Sequence, residues 1–151
     1  MRIVLAVTGE RVGTVGRRPL AWVAAIVLLL EGVGTVLVNG VLATVVGNQR
    51  MSLGGLDPGA VSVGTWVTGG VLGLYLALCA VLLARTALRD RAPGRVGRIL
   101  LITCAVAHGV LAALAVGLVG WDAFAFMMVV AGLLVLILIE YEPGRRPAAP
   151  A

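Results

Sequence analysis

The sequence predicts an all-α fold of four transmembrane helices, running up-down-up-down as a bundle with both termini in the cytoplasm. Three observations predict it. The 151-residue chain is 60% hydrophobic and only 13% charged, where a soluble domain carries about a quarter charged residues. Its apolar residues fall into four runs, each matching the roughly 20 residues that cross a bilayer at about 1.5 Å per residue. Its basic residues gather between alternate runs. A mean hydropathy of +1.07 leaves more apolar surface than polar groups can cover, so lipid must be part of the solvent. Backbone N–H and C=O groups cannot stay unpaired in hydrocarbon, which makes the runs helices. Barrel strands would alternate apolar and polar residues, and these runs do not. One unit is expected, with no second domain.

Residues 1–19 read as a cytoplasmic arm. The segment "MRIVLAVTGERVGTVGRR" holds Arg2, Arg11, Arg17 and Arg18 and shows no small-residue cleavage site before the first run, so it does not read as a signal peptide. The transmembrane region covers residues 20–140. Its first span, about 20–47, is over-long and is expected to tilt or emerge from the bilayer. The loop after it, "NQRMSLGGLDPGA", is punctuated by Gly, Pro and Asn and carries Arg50 and Asp57. The second span is about 61–84. The connection "RTALRDRAPGRVGR" supplies Arg85, Arg89, Arg91, Arg95 and Arg98. The third span, about 99–119, meets the fourth, about 121–139, across little more than a turn at Gly120–Asp122. Residues 141–151, with Arg145 and Arg146, read as a disordered cytoplasmic tail.

All twelve basic residues are arginine, and eleven of them fall on one side of this layout, with Arg50 alone on the other. The positive-inside rule then fixes the orientation. A net charge of +5 on such a chain points to anionic lipid headgroups rather than nucleic acid, with Arg85, Arg89, Arg91, Arg95 and Arg98 as the headgroup-facing set. Trp22 and Trp121 fall near span ends, where an aromatic belt forms. The Ala/Gly/Val/Leu/Arg-rich composition suggests a GC-rich bacterial genome, hence a multi-pass protein of the bacterial inner membrane.

Two helices carry small residues at a spacing of four: Thr65, Gly69, Gly73 and Ala77 on the second, Ala105, Gly109, Ala113 and Gly117 on the third. Such ridges let helix backbones approach closely in lipid. The short loop between these helices makes them the expected neighbours, with Gly69, Gly73, Gly109 and Ala113 at the seam. Glycine and alanine are also abundant enough to produce such ridges by chance.

The residues that bear chemistry are few. Glu31 lies in "LLLEGVGTVLVNG", about 16 Å from the start of its span by helical rise. His108 and Tyr75 fall at similar depths on the third and second spans, about 13 and 15 Å by the same rise. A carboxyl at the midplane costs a few kcal/mol, so it is expected to face inward and find a partner. Glu31, Thr35 and Asn39 share one helix face. Together with Tyr75 and His108 they form an expected intramembrane polar cluster. It reads either as a hydrogen-bonded register device or as a proton or substrate path. Cys79 and Cys104 read as small buried hydrophobes. Cys104 and His108 lie one turn apart, but the chain has a single histidine and no close ligand pair, so no metal or cofactor is expected. No nucleophile constellation or phosphate-binding loop is present.

The stretch "EGVGTVLVN", Glu31 to Asn39, resembles the first helix of the small multidrug resistance exporters, in which one membrane glutamate precedes a Gly-Thr pair and a leucine. Glu31, Gly34, Thr35 and Leu37 match in spacing. The resemblance implies a proton- and drug-binding carboxyl at Glu31. It covers nine residues. The family's third-helix tryptophan and glycine pattern is displaced here to Trp66, Gly69 and Gly70 in the second span. The arginine asymmetry also opposes the antiparallel dimers of its dual-topology members. As a whole the chain resembles four-span membrane proteins of GC-rich bacteria that carry no assigned activity. The expectation is therefore a non-catalytic membrane component, an accessory, assembly or scaffolding subunit that forms a homo-oligomer or joins a larger complex. A small proton-coupled transporter using Glu31 is the alternative.

Overall fold

The computed structural model describes residues 16–49 and 55–141. The expected arm before residue 16, Arg50 and the tail beyond residue 141 lie outside them. The described chain is all-α: α1 Arg17–Gln49, α2 Pro58–Arg89, α3 Arg95–Leu118 and α4 Trp121–Glu140. All four are long and apolar enough to cross a membrane, so this is a multi-pass integral membrane protein of the four-helix class.

The helices overrun the apolar runs, α1 by a few residues at each end. Hydropathy marks where side chains meet hydrocarbon, whereas a helix ends where its backbone finds a cap. The start of α2 shows this. The Asp57 carboxylate Oδ2 accepts from the backbone N–H of Ala60 at 3.0 Å, three residues on, as an N-cap does, and Pro58 takes the first helical position, where a missing N–H costs nothing. Between α3 and α4, Gly120 adopts φ +127, a conformation that glycine alone adopts readily. That angle lets the chain reverse within two residues.

The chain forms two compact units. One contains residues 1–24 and 82–151. Here α3 packs on α4. The buried face of α3 is Gly97, Leu101, Cys104, Ala105, His108 and Ala112, and that of α4 is Val130, Ala131, Leu134 and Ile137. Both sets recur at three- and four-residue spacing, as one helical stripe requires. Leu83, Thr86 and Ala87 of α2 and Ala21 and Ala24 of α1 are buried as well.

The other unit, residues 25–81, pairs α1 with α2 through small residues. A Cβ placed on Gly32 would lie 3.1 Å from the Gly73 carbonyl oxygen, and one on Gly73 would lie 3.1 Å from the Gly32 carbonyl oxygen. Backbones this close leave no room for a side chain on either side and permit Cα–H···O contacts. On one side of this crossing, toward the C-terminal end of α1, larger α1 residues fill the gaps over α2 glycines: Val36 against Gly73 and Asn39 against Gly69. Trp66 of α2 lies over Gly40 of α1 in turn. The Ser62 hydroxyl donates to the Ala43 carbonyl at 2.8 Å, a direct bond from α2 to α1.

Within this unit, the partner that Gly69 and Gly73 meet at close range is α1. The reason is shape. Two bare ridges leave a void, whereas Val36 and Asn39 fill the space the glycines leave. On α3, Ala105 is buried, and a Cβ on Gly109 would meet nothing within 4 Å.

Candidate functional site

Glu31 is half-buried in α1, one residue before the Gly32–Gly73 crossing, and its carboxyl oxygen Oε1 is shielded from solvent. Tyr75, also half-buried, follows that crossing by two residues on α2. Both belong to the 25–81 unit, and His108 belongs to the other.

The remaining polar side chains of the spans are largely turned back on their own helices. The Asn39 amide Nδ2 donates to the Thr35 carbonyl at 2.8 Å. The hydroxyls of Thr44, Thr65, Thr86 and Thr103 donate to the carbonyls of Gly40, Val61, Leu82 and Ile99, at 2.8, 2.9, 2.9 and 3.0 Å. Each bond spans four residues and places one side-chain proton without a neighbour, a low-cost solution in lipid. Asn39 has a second role as filler over Gly69, so helix packing accounts for its position.

His108 makes one bond of the same kind. It is 4% exposed, and its Nδ1 lies 2.8 Å from the Cys104 carbonyl oxygen. A carbonyl only accepts, so Nδ1 carries the proton and, in the neutral ring, Nε2 is the lone-pair nitrogen. The Cys104 sulfur is 3.7 Å from that same Nδ1. A protonated Nδ1 cannot take the thiol's proton, so the pair is not an activated nucleophile. Among the described residues no three His, Cys, Asp or Glu side chains converge as metal ligands.

An open recess of about 420 Å³ in the 25–81 unit is lined by Asn39, Leu56, Thr65 and Thr68 among others. With the Thr65 hydroxyl proton and one Asn39 N–H spent on the backbone, it offers few directed donors.

A second polar constellation lies in the unit of residues 1–24 and 82–151. Arg17, the first residue of α1, grips Asp90, the residue after α2, through two parallel contacts. They are Nε to Oδ1 at 2.9 Å and Nη2 to Oδ2 at 3.1 Å. Arg18 Nε stands 3.8 Å from Oδ2. The Arg17 guanidinium also lies over the Tyr141 ring, 5.3 Å from its centroid, within cation–π range. Tyr141 follows α4 directly and is 4% exposed. One guanidinium therefore ties three helix ends. The hydrogen bond from Arg17 holds the Asp90 carboxyl below the usual carboxylate range, with the charges of Arg17 and Arg18 adding to it against a partial desolvation cost. Burial pushes the Tyr141 phenol up, so it stays neutral.

Comparison with protein-family models, with curated proteins and with solved structures finds no match to this chain.

Sequence reasoning passed over Asp57, Asp90 and Tyr141. The signals were present. Asp57 precedes Pro-Gly at a helix start. Asp90 is the one acid among the five arginines that follow α2's apolar run.

Proposed function

We propose that this chain is a non-catalytic component of the bacterial inner membrane, an accessory, assembly or scaffolding subunit working as a homo-oligomer or within a larger membrane complex. One observation supports the reading: several short polar side chains of the spans, Asn39, Thr44, Thr65, Thr86 and Thr103, donate to their own helix backbones. A transport path or catalytic site needs polar groups aimed at a shared space. The faces turned outward are apolar. In the most apolar stretch of each helix only 22–28% of the residues are buried, leaving surface for lipid or for neighbouring helices.

Glu31 favours a second reading, a small proton-coupled transporter, because ionisable residues inside membrane helices commonly mark proton and ion paths, and its Oε1 is shielded from solvent. One pair of measurements separates the two. Protein purified in mild detergent is weighed intact, and the same protein is reconstituted in proteoliposomes and challenged with a lipophilic cation. The subunit reading expects a stoichiometric assembly and no Glu31-dependent proton release. A lone monomer that releases protons, and loses this in Glu31→Gln, overturns it in favour of transport.

A further inference from the structure

We infer that the helix end formed by Arg85, Arg89, Arg91 and Arg95 is a binding surface for the phosphates of anionic lipid headgroups, and that Asp90 limits its charge by withholding Arg17 and Arg18. The four arginines sit in one compact unit, across the last turns of α2, the short loop and the first residue of α3. All four are exposed. Among the described residues none of the four forms an ion pair, whereas Arg17 and Arg18 both meet Asp90. The carboxylate therefore divides the basic residues. Arg17 is neutralised in a two-point grip and stacked on Tyr141, while the loop arginines keep their full charge.

Phosphate oxyanions match exposed guanidiniums, which donate in a planar fork. The lipid source follows from the neighbours. Leu88, Val96 and Ile99 are large, exposed and apolar, and they alternate in the chain with Arg89, Arg95 and Arg98. Arg85 and Arg89 share one face of α2 by their spacing of four. Guanidiniums interleaved with exposed aliphatic side chains, at the ends of membrane-length helices, sit where acyl chains give way to headgroups. A soluble polyanion would leave Leu88 and Val96 facing water.

The test ejects the full-length protein from nanodiscs of mixed phosphatidylglycerol and phosphatidylcholine and counts retained lipids by native mass spectrometry. Wild type should retain the anionic lipid preferentially. Removing one arginine should weaken that preference about fivefold. A triple variant, R89Q/R91Q/R95Q, should nearly abolish it, with melting unchanged because these side chains are exposed. Asp90→Asn should raise retention by releasing Arg17 and Arg18. Added salt should lower wild-type retention without any mutation, which keeps the test valid if the triple variant misfolds. Equal retention of both lipids by wild type overturns the inference, and so does a triple variant that folds and retains lipid as wild type does. Soluble pyrophosphate that binds the lipid-free protein as tightly as phosphatidylglycerol does would overturn the lipid source.

Discussion

Asp90 concentrates two local demands in one residue. Its backbone adopts φ +48, a left-handed conformation that costs most L residues energy and that Asp tolerates better than most. Its carboxylate meets Arg17 and Arg18. Two substitutions separate these demands. Asp90→Gly loses the ion pair but relaxes the backbone, while Asp90→Ala loses both. The glycine variant should melt above the alanine variant, on the order of 2–4 °C for a chain of this size. The acid branch tests the charge. Because the folded state holds the Asp90 carboxyl below its ordinary value, folding favours the ionised form. That contribution is fully present above about pH 4, the unfolded carboxyl's range, and fades as pH falls through the depressed folded value. The difference in melting temperature between wild type and Asp90→Asn should therefore shrink as pH drops from about 5 to 2. It should stay small throughout, since both partners are about a third exposed and water screens such pairs. A difference that grows on acidification would contradict the ion pair. Arg17 and Asp90 are 73 positions apart, so the sequence offered the charges but not their meeting.

At the scale of the helix pair, the second-span ridge was legible and its partner was not. Spacing alone shows which face of a helix is small. It does not show which neighbour supplies the filling side chains, and loop length pointed to α3. The deciding feature is the α1 series Gly32, Val36, Asn39 and Ala43, which mixes a gap, two fillers and an acceptor carbonyl at three- and four-residue steps. Gly73→Ala tests it. The added methyl would sit 2.4 Å from Val36 Cγ2 and 3.1 Å from the Gly32 carbonyl oxygen. Val36 is β-branched and stiff in a helix, so the helices must separate. Gly73→Ala should cost about 1–3 kcal/mol in detergent unfolding, as overpacking does. Gly64→Ala on the same helix meets nothing within 4 Å and should be neutral or slightly stabilising, because alanine is the better helix former. Gly109→Ala should likewise be mild, because a Cβ at Gly109 meets nothing within 4 Å. If Gly73→Ala and Gly64→Ala melt alike, the close approach of α1 and α2 is wrong.

At the scale of the whole molecule, the four helices were legible because length and hydropathy are properties of single segments, and lipid imposes helix on each. For the intramembrane polar residues the sequence supplies depth and not direction. Depth arithmetic places Glu31, Tyr75 and His108 at similar levels, but depth says nothing about rotation around each helix axis. Asn39, Thr44 and Thr65 show what it omits: the backbone carbonyl four residues back competes for short polar side chains. Orientation in the membrane rests on the distribution of arginine, a property of the chain as a whole, and it can be measured directly. Position 86 falls in the arginine-rich connection, but Thr86 is 4% exposed and donates its hydroxyl to Leu82, so a cysteine there would be unreactive from either side. Ala92 is exposed, in the loop between α2 and α3. With Cys79 and Cys104 replaced by alanine, single cysteines at Ser52 and Ala92 should report opposite faces. A membrane-impermeant thiol reagent added to intact cells should label Ser52→Cys and spare Ala92→Cys until the membrane is permeabilised. The physical basis is the cost of moving charge outward: the Ala92 loop lies among five arginines and the Ser52 loop beside one. Neutralising Arg85, Arg89, Arg91, Arg95 and Arg98 together should therefore yield a mixed labelling pattern, as the arm and tail alone hold the orientation less firmly. Labelling of Ala92→Cys in intact cells carrying all the native arginines would invert the topology and move the proposed lipid surface to the outer leaflet.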